Sequence, residues 1–251
     1  MKKKLLFHAC LMAILIMACA CGQKTKNVDP VPEPTRFVTI DRTKAGLTIY
    51  FPPTDSIELR CFDRPDPEVD SSIVFCCAAA FTADWGTAPS HDRIQGDHVS
   101  GGKLYKRPRI KRNTGAFCAK DSTYRFLYSY EANQTHFRSS FEKATTAFTQ
   151  EMMIHQMARV KTTRPDNNLN QFRALCLTND GRLCIADANE AMSFGDFIQL
   201  LLSAGIYDAL YMDMGPGWNY SWYREYADSA ATYIHSQSLS SATNWLVFHK
   251  K

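Results

Sequence analysis

The chain has 251 residues, 29 Lys and Arg against 25 Asp and Glu, 45% hydrophobic residues and 12% aromatics. That composition belongs to a folded chain with a sizeable core and excludes intrinsic disorder as the main description. Lys2, Lys3 and Lys4 fall in a removable leader, which leaves 26 basic against 25 acidic residues and no basic surplus for nucleic acid.

The leader is expected over residues 1–21. Its basic start is followed by an apolar stretch, Leu5 to Ala20, shorter than the roughly 20 apolar residues a membrane-spanning helix needs. Ile16-Met17-Ala18-Cys19 has the form of a bacterial lipobox, which predicts lipidation of Cys19; Cys21 is a second candidate, and an ordinary cleaved signal is the alternative. Residues 22–35 are polar, contain three prolines and read as a flexible tether. A folded domain over 36–251 is therefore expected in a bacterial cell envelope, held by lipid on the outer membrane or the periplasmic side.

Short β-type runs dominate the first half: Phe37–Ile40, Leu47–Tyr50, Ile57–Cys61, Ile73–Ala80 and Tyr124–Tyr128, separated by turn-rich segments. A helix is predicted around Ser140–Phe148. Two strands, Arg173–Thr178 and Arg182–Ala186, flank Asn179-Asp180-Gly181 and read as a hairpin that sets Cys176 opposite Cys184. Ser193, with Asp196 three residues on, has the form of a helix N-cap, and Phe194, Phe197, Ile198, Leu201 and Leu202 form the buried stripe that follows. Gly205 stops that helix, Ala209–Met214 reads as a strand, Trp222–Ile234 as a second helix and Trp245–Phe248 as a last strand. Mixed strands and helices without βαβ alternation predict an α+β domain, a mainly antiparallel mixed sheet with packed helices in a single domain.

Six cysteines lie beyond the leader: Cys61, Cys76, Cys77, Cys118, Cys176 and Cys184. Their apolar flanks suit buried free thiols, and cross-strand packing of Cys176 and Cys184 is preferred over a disulfide. No CxxC or Cys/His zinc spacing is present, nor any serine elbow, Walker loop or metalloprotease helix. The chemistry-bearing feature is a strand end. Asp213 closes an apolar strand and is followed by Met-Gly-Pro-Gly, whose glycines let backbone N–H groups approach a ligand. Satisfying a turn backbone is the competing role for such an aspartate.

From Phe172 to Ser221 the sequence resembles the C-terminal half of the phosphodiester glycosidase family, as a divergent bacterial lipoprotein branch. Arg173, Asp180-Gly181, Phe194–Leu202, Gly205 and Asp213-Met-Gly215 stand where that family has an Arg-led strand, a hairpin, a helix, a glycine turn and a strand ending in Leu-Asp-Gly-Gly. Upstream, Phe148–Ile154, Ala78–Thr82 and Gly96–Val99 match it more loosely. Ala78 replaces the family's Asn, and Met214 replaces its first glycine.

The resemblance implies a glycan or sugar-phosphate substrate and hydrolysis of sugar-1-phosphodiester linkages. A catalytically inactive relative that binds a glycan or phosphorylated glycan is the alternative, favoured by Ala78. Arg173 would hold phosphate, and Asp213 and Asp97 would stabilise the sugar cation or orient water. Thr82, Gln150, Gly215, Trp218 and Asn219 would bind the substrate, with His98 and His155 as further candidates. No cofactor is firmly implied; calcium is the one the family allows, although no carboxylate-rich loop specifies it.

Overall fold

Short β-prone runs form most of the fold, and several of them are buried along all or nearly all of their length because both of their faces are covered. A computed structural model describes residues 33–82, 90–106, 114–128, 134–162, 164–166, 168–215, 219–235 and 241–250. Cys19, the leader, the tether up to residue 32 and Trp218 lie outside the described residues.

The first strands are β1 (Thr39–Asp41), β2 (Leu47–Phe51), β3 (Ile57–Cys61) and β4 (Ile73–Ala78). After a 3-10 turn at His91–Arg93 come β5 (His98–Ser100), β6 (Lys103–Tyr105), β7 (Thr114–Lys120) and β8 (Thr123–Tyr128). Helix α1 (Gln134–Lys143) leads into β9 (Thr146–His155) and β10 (Ala158–Arg159). The hairpin β11 (Arg173–Thr178) and β12 (Leu183–Ala188), helix α2 (Phe194–Ser203) and β13 (Ile206–Tyr211) follow. The chain closes with β14 (Ser221–Tyr223), β15 (Thr232–His235) and β16 (Asn244–His249).

These strands make two antiparallel sheets. Sheet I has eleven strands, with the path β1-β2-β12-β11-β13-β9-β5-β6; sheet II has five, β15-β14-β4-β16-β3. A core of residues from both sheets, including Val74, Phe75, Leu246 and Phe248 facing Leu175, Ile185, Leu210 and Met212, fills the space between them. The outer face of sheet I is covered by α2, whose Phe194, Phe197, Ile198 and Leu201 meet Ala174, Cys176, Cys184 and Ala209.

The architecture is all-β, not α+β: only two α-helices occur among the described residues, each of ten residues, and neither forms a layer. Two predicted helices account for the difference. Over 140–148 the helix ends at Lys143, and Thr146 opens a ten-residue strand hydrogen-bonded to β5, β7 and β13. Over 222–234, Ser221–Tyr223 instead pairs with β4 and with Thr232–His235. In both places pairing to a distant strand overrides a local helical period.

The local turn signals were accurate. Cys176 lies opposite Cys184, both buried and both free thiols. The Ser193 hydroxyl accepts the Asp196 N–H, and Gly205 turns the chain out of α2 at φ +77°.

Candidate active site

Arg173 opens β11 and is fully buried. Its register partner on β12 is Asp187, which accepts from Nε at 2.6 Å and from Nη2 at 2.7 Å. The Ser221 hydroxyl, on sheet II, takes a third hydrogen bond from Nη2 at 2.9 Å. Burial alone would lower the guanidinium pKa; the adjacent carboxylate more than offsets it and holds the charge in place. Ser221 also pairs in register with His235. Burial, then the nearby Arg173 charge, lowers the His235 pKa, so this imidazole is neutral beside the guanidinium.

Three polar atoms at this end of the sandwich are buried without a hydrogen-bond partner: Arg173 Nη1, Gln150 Nε2 and Asn219 Oδ1. Alternation places them together. Arg173 is two residues from Leu175, and Gln150 lies between Phe148 and Met152; all three neighbours belong to the inter-sheet core. The Arg173 carbonyl accepts the Met212 N–H at 3.0 Å, and Leu210, two residues before Met212, is in register with Met152, two residues after Gln150. Asn219 is two residues from Ser221, the residue that touches Arg173, and its carbonyl accepts the Ser221 hydroxyl at 3.1 Å. Buried polar atoms left unpaired each cost about 1–3 kcal/mol, so three at one end of a sandwich fit the requirements of a ligand.

Asp213 stands just past β13, where its N–H donates to the carbonyl of Ala79, one residue past β4, at 3.0 Å. Its carboxylate accepts long bonds, 3.4 Å each, from the backbone N–H groups of Thr82 and Gly215. No ion pair to it is formed among the described residues. Burial pushes its pKa up to about 7, and the Thr82, Gly215 and Met214 amides only partly counter that rise. Tyr211, two residues away, feels both Asp213 and a second buried carboxylate, Glu151. Glu151 is tied to Arg164 Nε at 2.7 Å and to the Thr162 hydroxyl at 2.9 Å. The Arg164 guanidinium lies over the rings of Tyr211, Phe194 and Phe81 at 4.5, 5.4 and 5.7 Å. Two carboxyl groups thus share the neighbourhood of Tyr211, one neutralised by a cation and one not.

The remaining candidates distribute as follows. Thr82 and Gly215 touch Asp213 through their backbone N–H groups, and the Thr82 hydroxyl meets that of Thr243 at 3.3 Å. Asp97 precedes β5 and binds Thr149 through its carbonyl, one residue from Gln150. His98 is buried and bonded to His91 and to the Gly96 carbonyl. His155 lies apart: it pairs with Asp208 at 2.8 Å, seven residues along β9 from the partner of His98, or about 24 Å of strand.

Ala78 faces the outer core of sheet II with Trp222 and Trp245, not the inter-sheet face. Asp187, Ser221, Glu151 and Arg164 are additions that the sequence alone did not single out. Among the described residues, the set with metal-ligating donors is Cys61, His91 and His98, a soft set unlike the oxygen ligands calcium takes.

No protein-family model matches this chain, and no curated protein matches it. Its fold is similar to the catalytic domain of zebrafish N-acetylglucosamine-1-phosphodiester alpha-N-acetylglucosaminidase, solved auto-inhibited by its pro-peptide. That likeness has a TM-score of 0.58 at 14% identity and covers 89% of this chain and 85% of the other. A hypothetical protein from Synechocystis aligns at a TM-score of 0.47 and 11% identity, over 85% of this chain and 61% of that one. What the two share is the fold.

Proposed function

We propose that the chain hydrolyses sugar-1-phosphodiester linkages in glycans, with Asp213 as the group that moves the proton. The observation that carries this reading is the set of unfilled hydrogen-bonding atoms on Arg173, Gln150 and Asn219 on the inter-sheet face. Asp213, with a pKa pushed up to about 7, closes the adjacent strand two residues from Tyr211, which packs on the outer face, so the two groups meet only where that strand ends. A guanidinium donor, an amide donor and an amide acceptor suit a phosphate oxygen and sugar hydroxyls.

In this reading water attacks C1 of the sugar, the C1–O bond breaks, and its electron pair stays on the phosphate oxygen. The leaving group is a phosphate monoester, whose last protonation lies near pKa 6, so it departs with little acid assistance. Asp213 in its ionised form takes the proton from water and later releases it to solvent. Arg173 Nη1 donates to the phosphate; Asp187 and Ser221 hold the guanidinium in one orientation. The zebrafish enzyme of similar fold is named for a reaction of this class, which supports the choice of substrate.

The alternative of an inactive glycan binder drew on Ala78. That side chain packs away from the Arg173 row, so the substitution removes no group from it. We further propose that Cys19 is lipidated and holds the domain at a bacterial envelope membrane; a Cys19→Ala chain that still incorporates labelled palmitate would refute this.

Incubation of the chain with an N-acetylglucosamine 1-phosphodiester tests the enzyme reading. Free sugar is expected, with turnover rising through pH 7 and falling about 10²- to 10⁴-fold in Asp213→Asn. Binding without release of sugar, or full activity in Asp213→Asn, contradicts it.

A further inference from the structure

We propose that Cys61, His91 and His98 form a zinc site, independent of the hydrolase reading. The three come from separate elements: the end of β3 in sheet II, the 3-10 turn at His91–Arg93, and the start of β5 in sheet I. Their ligand atoms lie within 4.8 Å of one another. One imidazole nitrogen from each histidine and a thiolate are the donors zinc prefers.

The surroundings of the histidines fit metal ligation. His98 Nδ1 faces the Gly96 carbonyl at 3.2 Å, and Gly96 adopts φ +78° in the turn that carries that carbonyl. A carbonyl can only accept, so Nδ1 carries the hydrogen and Nε2 presents a lone pair. That is the arrangement in which a second contact fixes the tautomer of a metal-binding histidine. The Nε2 atom meets His91 Nδ1 at 2.8 Å, where His91 donates. Two nitrogens on one tetrahedral zinc sit about 3.3 Å apart, given Zn–N bonds of about 2.05 Å. A shift of about 0.5 Å and transfer of the His91 proton to its Nε2 would therefore admit the ion.

The rings are already held for this. Tyr105 stacks on His91 with centroids 3.4 Å apart, His98 stacks on His91 at 5.1 Å, and Phe62 packs edge-on to His91 at 4.9 Å. Cys61 and His91 are half-buried, which gives an ion a way in, while His98 is fully buried and anchors the inner side. On binding, the Cys61 S–H bond breaks, its proton leaves to solvent, and the sulfur pair forms the Zn–S bond. Three protein ligands leave the fourth tetrahedral position to water.

The test is titration of the reduced, metal-stripped full chain with Co²⁺ as the spectroscopic probe. One ion per chain is expected, with a thiolate-to-cobalt charge-transfer band and strong tetrahedral visible absorption, both bleached by Zn²⁺. Cys61→Ser should lose the charge-transfer band, and His91→Ala should weaken binding on the order of 100-fold. Absence of a saturable band, or the same band in Cys61→Ser, overturns the site. Should Cys61→Ser fail to fold, a folded His91→Ala that binds Co²⁺ as tightly as the parent chain overturns it instead.

Discussion

Asp187 and Asp213 are both buried aspartates at the C-terminal ends of strands in sheet I, and they have opposite electrostatic fates. Asp187 sits 2.6–2.7 Å from two nitrogens of a fully buried arginine. Asp213 has only backbone amides at 3.4 Å, and its pKa climbs to about 7. The first carboxylate is compensated and fixes a neighbour; the second costs stability when ionised. Free energy held in that way is what a proton-transferring group requires, and what a structural turn aspartate would not retain.

The contrast can be broken most severely at the ion pair. Asp187→Ala leaves Arg173 charged, buried and unmatched, and should lower unfolding free energy by about 3–5 kcal/mol, read by urea denaturation. Asp213→Asn should act in the other direction. Its folded pKa exceeds the unfolded value, so the parent chain loses stability as pH rises from about 4 to about 7. The asparagine variant should therefore be more stable at pH 8, by up to about 4 kcal/mol, and equal at pH 3.5. A gain that persists at pH 3.5 would point to packing rather than charge.

The smaller effects sharpen the same division. Glu151→Gln removes the ion pair with Arg164, whose side chain reaches solvent, and should cost about 2 kcal/mol. Ser221→Ala removes one of three hydrogen bonds to Arg173 while Asp187 still holds it, a loss of about 1 kcal/mol. Both are measurable as shifts of the denaturation midpoint at constant slope.

Which parts of this were legible in the sequence follows from how local each signal is. The Asn179–Gly181 turn fixed the Cys176–Cys184 register because a hairpin is decided within a dozen residues. Ser193 and Gly205 marked α2 for the same reason. The segment at 222–234 reads as a helix because Trp222, Tyr226 and Tyr233 repeat at intervals compatible with one, while the deciding contact, β14 on β4, lies almost 150 residues away in sequence. There and at 140–148 the local period favours helix, which is why the sequence predicts α+β where pairing to distant strands builds an all-β sandwich.

Asp213 and Arg173 stood out at strand ends beside turns or hairpins, but the groups that define their charge did not. Asp187 sits in an apolar run, Ala186-Asp187-Ala188, and Glu151 between Gln150 and two methionines. Nothing local marks either as a partner. Cys61, His91 and His98 carry no short-spacing motif because a strand from each sheet and a 3-10 turn bring them together.

The most direct test of the distinction between the two aspartates is a ¹³C NMR titration of aspartate carboxyls, with the Asp213 signal assigned by its loss in Asp213→Asn. A midpoint near pH 7 for Asp213 is predicted. A midpoint near 4 would mean that this carboxylate is compensated after all, and the proton-transfer role assigned to it would fall.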